Sequence, residues 1–220
     1  DNTIVTVELT GALVKLALLI ELLPRTMWAM ALPFGVMLSR QLELLDISDA
    51  GVAGVWLFTL VWVSISLGGA HFSEKPIGQR LARINRWIIG VLGVTLATIG
   101  TWSYFGDGPF ETGWLAAKVA LYGVINLTVL GIEASFIPVG PAFGRLFSEG
   151  STPDVEAAIS RGMQTTMFWV YTSYILILVV AFIGIAKPEA IDAAFLAYFA
   201  FIAVAASAAF SGMGKMLRMA

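Results

Sequence analysis

The sequence predicts an all-α protein: a polytopic transmembrane helix bundle with six crossings, forming a single integral membrane domain over residues 1–220. Hydrophobic residues make up 58% of the 220 residues and charged residues only 13%, whereas soluble domains carry about 25% charged residues. The mean hydropathy is +0.85. Several apolar runs approach the roughly 20 residues that span the hydrocarbon core. We therefore expect the lipid bilayer to surround most of the chain.

The composition also excludes several classes of function. The formal net charge is −2, and no segment has the density of basic residues that nucleic-acid binding needs. The chain has no cysteine, which excludes disulfides, thiolate metal sites and iron–sulfur clusters. No nucleophile motif, phosphate-binding loop or dinucleotide fingerprint occurs in the sequence.

The first predicted crossing covers residues 11–38 and is interrupted by Pro24. The favoured interpretation is one tilted crossing with a kink at this proline. Two alternatives remain open: an interfacial helix over 4–23 followed by a crossing over 26–45, or a tight pair of crossings.

Three charged residues, Lys15, Glu21 and Arg25, interrupt this first region. Charged side chains are costly in lipid, so we expect them to face protein or to reach the interface. The following residues 41–50 are acidic and predict a loop or a surface helix.

The second and third crossings are predicted over 51–71 and 87–104, and a basic connection over 72–86 joins them. Three glycines in the third crossing, Gly90, Gly93 and Gly100, offer small surfaces where another helix can approach closely. A turn-rich acidic loop is expected at 105–113.

The fourth crossing is predicted over 114–137, where Pro138 and Pro141 end it. Residues 142–165 form the longest polar segment, and its second half is expected to form a short surface helix. That helix should begin at Ser151-Thr152-Pro153-Asp154. The last two crossings are predicted over 166–186 and 190–211, the latter rich in alanine and serine.

The basic residues predict the orientation. Lys75, Arg80, Arg83 and Arg86 lie in one connection, Arg145 and Arg161 in a later one, and Lys215 and Arg218 in the tail. With alternating crossings these segments share one side, which the positive-inside rule makes cytoplasmic. The prediction is a bacterial inner-membrane protein whose C-terminus is cytoplasmic.

The fourth crossing contains three polar residues, Lys118, Asn126 and Glu133. Lys118 and Glu133 are 15 residues apart in the chain, which is roughly 22 Å along a helix and an angular offset of about 60°. One hypothesis is a polar path for a proton or solute along this face, with Glu21 or Arg25 contributing. The alternative is structural: Lys118 reaches the outer interface, Glu133 lies near the inner one, and Asn126 bonds to another helix.

The metal and cofactor candidates are few. His71 is the only histidine, so two histidines of one chain cannot bind a haem, although one axial ligand remains open. Thioether sulfur is a soft ligand for Cu(I), and Met213, Met216 and Met219 recur at three-residue spacing, as do Met27 and Met30. The structural alternatives are an interfacial histidine and methionines that pack against helices or lipid. The sequence requires no cofactor and leaves haem or copper open.

The central region carries a resemblance to known families. Leu67-Gly68-Gly69-Ala70-His71 ends a crossing, a basic connection follows, and Gly113-Trp114-Leu115-Ala116-Ala117-Lys118-Val119-Ala120-Leu121 opens the fourth crossing. The last stretch resembles the Gly-Trp-Leu-His-x-Lys-Leu signature of the copper-resistance D-like proteins and the J-type protoporphyrinogen oxidases. The resemblance covers residues 52–188 and implies haem handling, with Lys118 as the matching residue. Ala116 stands where the signature has histidine, which implies that this chain has lost the oxidase chemistry.

Three functional hypotheses follow. The first is a non-catalytic membrane subunit or scaffold that packs against other membrane subunits or a second copy of itself. Under this hypothesis the protein is not an enzyme. The second is a small-solute or ion transporter whose path follows the fourth crossing. The third is the haem- or copper-handling protein that the resemblance implies.

Overall fold

The computed structural model describes residues 2–73 and 75–188, and for residues 2–21 it describes the backbone alone. The described residues form helices and contain no strand. The helices are α1 (Asn2–Gln41), α2 (Asp49–His71), α3 (Pro76–Phe105), α4 (Gly113–Phe136), α5 (Val139–Glu149) and α6 (Pro153–Ala186). The all-α fold class is therefore confirmed for this part of the chain.

Four stretches of the described residues are long and apolar enough to cross a bilayer. They are Asp49–His71, Pro76–Phe105, Gly113–Glu149 and Pro153–Ala186. The chain is thus a multi-pass membrane protein whose apolar helices contact lipid. The count of six is not confirmed, because the first predicted crossing lies in α1, outside these four stretches, and the prediction for 190–211 lies outside the described residues.

α1 is one continuous helix of 40 residues that contains Pro24 and Pro33. A proline removes one backbone hydrogen bond of the helix and favours a bend. The chain does not reverse its direction at Pro24, so the interpretation as a tight pair of crossings is wrong.

Side chains of α1 and α2 hold these helices together. The indole Nε1 of Trp56 donates to the sulfur of Met37 at 3.0 Å, and the Trp56 ring meets Phe34 edge-on with centroids 5.2 Å apart. The loop between the helices is closed by an ion pair of Arg40 with Asp49. Ser48 caps α2 by accepting a hydrogen bond from the backbone N–H of Gly51 at 3.1 Å.

The chain divides into two compact units, the first ending at Ile88 and the second beginning at Ile89. α3 contributes its first half to the first unit and its second half to the second.

In the first unit, α2 and α3 approach closely at small residues. A Cβ built on Gly69 would lie 3.2 Å from the backbone nitrogen of Ala82. Further along the contact between α2 and α3, the indole of Trp62 donates to the Asn85 side-chain oxygen at 2.9 Å, and both side chains are buried. Small residues therefore bring the backbones together at one level, and a polar bond links the helices at another.

In the second unit, glycines on both helices place α3 against α4. A Cβ built on Gly100 would lie 2.2 Å from the backbone nitrogen of Ala120, and one built on Gly123 would lie 2.2 Å from that of Ala97. These distances are far below van der Waals contact, so the two backbones touch where side chains normally separate helices. The predicted role as close-approach surfaces is confirmed for Gly93 and Gly100, since the carbonyl oxygen of Gly93 lies 2.6 Å from the Cβ position at Gly123. At Gly90 a Cβ would make only an ordinary contact, 3.5 Å from Cδ2 of Leu130.

α5 and the first part of α6 occupy the region 142–165 that the sequence predicts as a long polar segment. α6 begins as predicted, with Pro153 in the first turn and the Thr152 hydroxyl accepting from Val155 N–H at 3.4 Å. The helix then runs without interruption to Ala186, so the predicted short surface helix is the first part of α6. α5 was not predicted, and the Val139 side chain fixes it against α6 at Gly162.

Candidate functional site

α4 carries the three polar residues of the predicted path. Lys118 is half-buried, and its Nζ would lie 2.8 Å from a Cβ built on Gly184. The ammonium group therefore rests on the backbone of α6 at a position without a side chain. A second lysine lies close to this contact. The Nζ of Lys187, the residue directly after α6, lies 5.5 Å from the ring centroid of Trp114 on α4, which is a cation–π contact.

Asn126 is fully buried in the middle of α4. Its side-chain nitrogen donates to the backbone carbonyl of Tyr122, one turn earlier in the same helix, at 2.8 Å. A buried amide in a membrane helix needs such a partner, because no water is available to replace it. Glu133 is half-buried near the end of α4 at Phe136.

Two pairs of hydroxyl groups join α4 to α6, and none of their residues is among the sites that the sequence predicts. The Thr128 and Ser173 hydroxyls are 2.6 Å apart, and those of Ser135 and Thr166 are 3.0 Å apart. Each hydroxyl oxygen also lies within hydrogen-bonding distance of a carbonyl of its own helix three or four residues earlier. Because a hydroxyl has one proton, one member of each pair donates across to the other helix while its partner donates within its own helix. The signal lies in the spacing: both partners on α4 and both partners on α6 are seven residues apart, which places each pair on one helix face.

A notch between these pairs seats a large aromatic side chain. A Cβ built on Gly131 would lie 2.5 Å from Cδ2 of Trp169. The indole of α6 therefore occupies the space that any side chain on α4 would need at this position. Together with the hydroxyl pairs, this contact makes the face of α4 that carries Thr128, Gly131 and Ser135 the seam with α6.

The hydroxyl pairs are expected to contribute little to stability individually. In membranes, interhelical hydrogen bonds contribute about 0.6 kcal/mol on average. A double-mutant cycle with Thr128→Val and Ser173→Ala should therefore give a coupling energy of about 0.6 kcal/mol from unfolding in detergent. Zero coupling, with both single variants neutral, would show that these hydroxyls bond only within their own helices.

Gly184→Ala tests the placement of Lys118. The nearest atoms to the added methyl group belong to the flexible end of the lysine side chain, which can move aside. Since alanine is favoured over glycine in a helix by about 0.8–1.0 kcal/mol, we expect the free energy of unfolding to stay the same or to rise by up to that amount. A large loss of stability would show that Lys118 is fixed in this position by stronger contacts.

The remaining predicted residues of the path lie in α1. Arg25 is half-buried, whereas the side chain of Glu21 lies outside the described part of the structure. Both belong to the first unit, and Lys118, Asn126 and Glu133 belong to the second. The path therefore stays a prediction.

The cofactor candidates have the following surroundings. His71 is the last residue of α2, is exposed, and meets the Phe72 ring edge-on at 4.6 Å. Met27 is exposed and Met30 is half-buried on α1, while Met213, Met216 and Met219 lie outside the described residues. In the described part of the chain, no group of three or more histidine, cysteine, aspartate or glutamate side chains could hold a metal ion.

The position of the missing signature histidine does not fit a haem. Ala116 is fully buried, and its carbonyl oxygen would lie 2.7 Å from a Cβ built on Gly100. The backbones of α3 and α4 are in direct contact here, so the surroundings of Ala116 leave no space for a porphyrin.

An open groove of about 600 Å³ lies along the second half of α3. It is lined by Ala97, Thr98, Thr101, Trp102, Phe105 and Gly106. Thr98 and Thr101 are exposed, as is Thr95 one turn earlier. These threonines recur every three residues and therefore share one helix face. The surface is a shallow, open and mainly apolar depression that also exposes the hydroxyl-bearing side chains of Thr98 and Thr101.

Comparison with known proteins adds no relative: no family model, no curated protein and no solved structure matches the chain.

Proposed function

We propose that the chain is a non-catalytic subunit of a larger membrane complex, and that the α3 groove receives a transmembrane helix of another subunit. The observation that carries this proposal is the shallow, mainly apolar depression that exposes Thr98 and Thr101 within a helix long and apolar enough to cross a membrane. The partner is a helix with small or hydroxyl-bearing residues on its contact face.

Packing energetics favour a helix over lipid at this surface. Lipid tails are as apolar as leucine, so helices associate in membranes through close packing and interhelical hydrogen bonds. A threonine hydroxyl that faces lipid can bond only to its own helix, whereas one that faces a polar helix gains a second partner. The groove also gives a partner helix more contact area than a convex surface would.

The contacts of α4 support the same proposal. Its hydroxyl groups at Thr128 and Ser135 already pair with α6, and the Asn126 amide bonds within the helix. These side chains hold the second unit together, whereas the threonine face of α3 remains exposed. A resemblance to the haem- and copper-associated families, in a member without the signature histidine, is compatible with a subunit that has no oxidase activity.

We further propose that the complex lies in a bacterial inner membrane with the basic connections on the cytoplasmic side. The support is the distribution of arginine and lysine in the sequence. In this orientation the C-terminus is cytoplasmic.

Site-specific cross-linking tests the subunit proposal. Because the chain has no cysteine, Thr98→Cys creates a single attachment point for a photoreactive probe. Leu178→Cys on α6, a similarly exposed position, is the matched control. We expect irradiation of native membranes to join Thr98→Cys to one membrane protein that also co-purifies with the wild-type chain in fixed stoichiometry.

Three results would reject this proposal. Equal cross-linking from both positions would show random encounters, and cross-linking only to lipid would show a free surface. A cross-linked dimer of this chain would show self-association instead of a complex with another subunit.

A further inference from the structure

The first half of α3 extends beyond the part that crosses the hydrocarbon. α3 has 30 residues, which corresponds to roughly 45 Å, whereas the hydrocarbon core is about 30 Å thick. The apolar run within α3 begins at Trp87. The preceding residues therefore form a helical extension at the level of the lipid headgroups.

One face of this extension packs against α2. Ala82 approaches Gly69 of α2, and Gly78 approaches the backbone of Phe72, the residue directly after α2. The same face carries Asn85, which accepts from Trp62. These contacts fix the rotation of α3 about its axis, and with it the side chains on the opposite face.

The opposite face combines arginines with large apolar side chains. Arg80 and Arg83 are exposed, Ile84 is 45% exposed and Trp87 is 71% exposed. These residues follow one another at intervals of one, three or four positions, so they form a continuous surface. Aromatic rings such as the indole of Trp87 prefer the membrane interface, and arginine stems lie along apolar surface while their heads reach polar groups.

The charge of this segment is strongly positive. Between residues 72 and 88 the sequence has four cations, Lys75, Arg80, Arg83 and Arg86, and one carboxylate, Glu74. The ion pairs that the structure shows in its described part join other side chains, Arg40 with Asp49 and Arg145 with Glu149. The guanidinium groups of Arg80 and Arg83 are therefore available to an anion from outside.

We infer that Arg80, Arg83 and Trp87 form a binding site for the headgroups of anionic phospholipids. Each guanidinium binds a phosphate oxygen pair through two parallel N–H groups. Ile84 and Trp87 contact the adjoining glycerol and acyl region. Along α3 the two arginines of this site come first and the apolar residues Ile84 and Trp87 follow. An anionic phospholipid has its phosphate and its apolar chains in the same order, so it can contact both parts of this surface at once.

Native mass spectrometry of the full chain in nonionic detergent tests this site. The probes are palmitoyl-oleoyl phosphatidylglycerol and, as the zwitterionic comparison, palmitoyl-oleoyl phosphatidylcholine. The test variant is Arg80→Gln with Arg83→Gln. The control variant is Arg145→Gln with Arg161→Gln, which loses the same charge from two exposed arginines outside α3.

We expect the wild type to prefer phosphatidylglycerol and the test variant to bind it about 30-fold more weakly, since each arginine near a membrane surface contributes about fivefold. The control should stay within about twofold of the wild type, because its arginines lie outside the site. Equal weakening in both variants would overturn the site in favour of a net-charge effect, and unchanged binding in the test variant would also overturn it.

A second measurement does not depend on any variant folding. Raising the salt concentration screens charge interactions, so phosphatidylglycerol binding to the wild type should weaken while phosphatidylcholine binding changes little. Binding of both lipids with equal affinity at low salt would overturn the inference. The inference is independent of the subunit proposal, since it concerns a different half of α3.

Discussion

Gly123→Ala should separate α3 from α4 and cause a large loss of stability. The added methyl group would lie 2.2 Å from the backbone nitrogen of Ala97 and 2.6 Å from the carbonyl oxygen of Gly93. Neither atom can move aside as a side chain can, so one backbone must shift. Over-packing of this kind costs about 1–3 kcal/mol, occasionally more. The measurement is the midpoint of unfolding in detergent, followed by loss of helical circular dichroism on heating.

Gly54→Ala is the matched control for this prediction. It is the same substitution within a membrane-crossing helix, but nothing lies within 4 Å of the Cβ position. Alanine is favoured over glycine in a helix by about 0.8–1.0 kcal/mol, so this variant should be at least as stable as the wild type. Equal midpoints for the two variants would contradict the close contact of α3 with α4.

Asn85→Leu should also destabilise the chain strongly. Trp62 and Asn85 are both 2% exposed, and the indole nitrogen donates to the amide oxygen at 2.9 Å. Leucine fills a similar volume but leaves the indole N–H buried without its acceptor. An unsatisfied buried donor costs about 1–3 kcal/mol. The midpoint of unfolding should fall accordingly, with the secondary structure of the folded state unchanged.

The double variant Trp62→Phe with Asn85→Leu separates this loss from a packing effect. Removing both partners leaves no orphaned donor at position 62, so the double variant should be more stable than the sum of the two single losses predicts. Strict additivity would show that the bond between these side chains contributes nothing.

The sequence was sufficient to predict four helices of the structure. α2, α3, α4 and α6 contain long apolar runs, and the length of such a run is a local property that a bilayer converts directly into a crossing. The start of α6 was also predictable, because threonine before proline is a local capping signal.

α5 was missed for an equally local reason. It has only 11 residues and contains Gly140, Pro141 and Gly144, which are typical of a loop when composition alone is considered. Its stability comes from tertiary contact, since Val139 and Ala142 are buried. Contacts of this kind override weak helix propensity.

The candidate site shows the limit of sequence-based prediction more clearly. Lys118, Asn126 and Glu133 stand out because charged and amide groups are rare in membrane helices. The hydroxyls of Thr128 and Ser173 do not stand out, because threonine and serine are common in membrane helices. The two residues are 45 positions apart in the chain, and their pairing depends on the register of α4 against α6. The opposition of Gly131 and Trp169 depends on that register too.

The notch at Gly131 restricts how the second unit can move. Sliding α6 along α4 by one helical turn, about 5.4 Å, would carry the Trp169 indole away from the glycine and towards the side chain of Leu127 or Ser135. The same displacement would break both hydroxyl pairs at once. A displacement of α6 along α4 is therefore opposed mainly by the shape of the contact between Gly131 and Trp169, to which the two hydroxyl pairs add a smaller contribution.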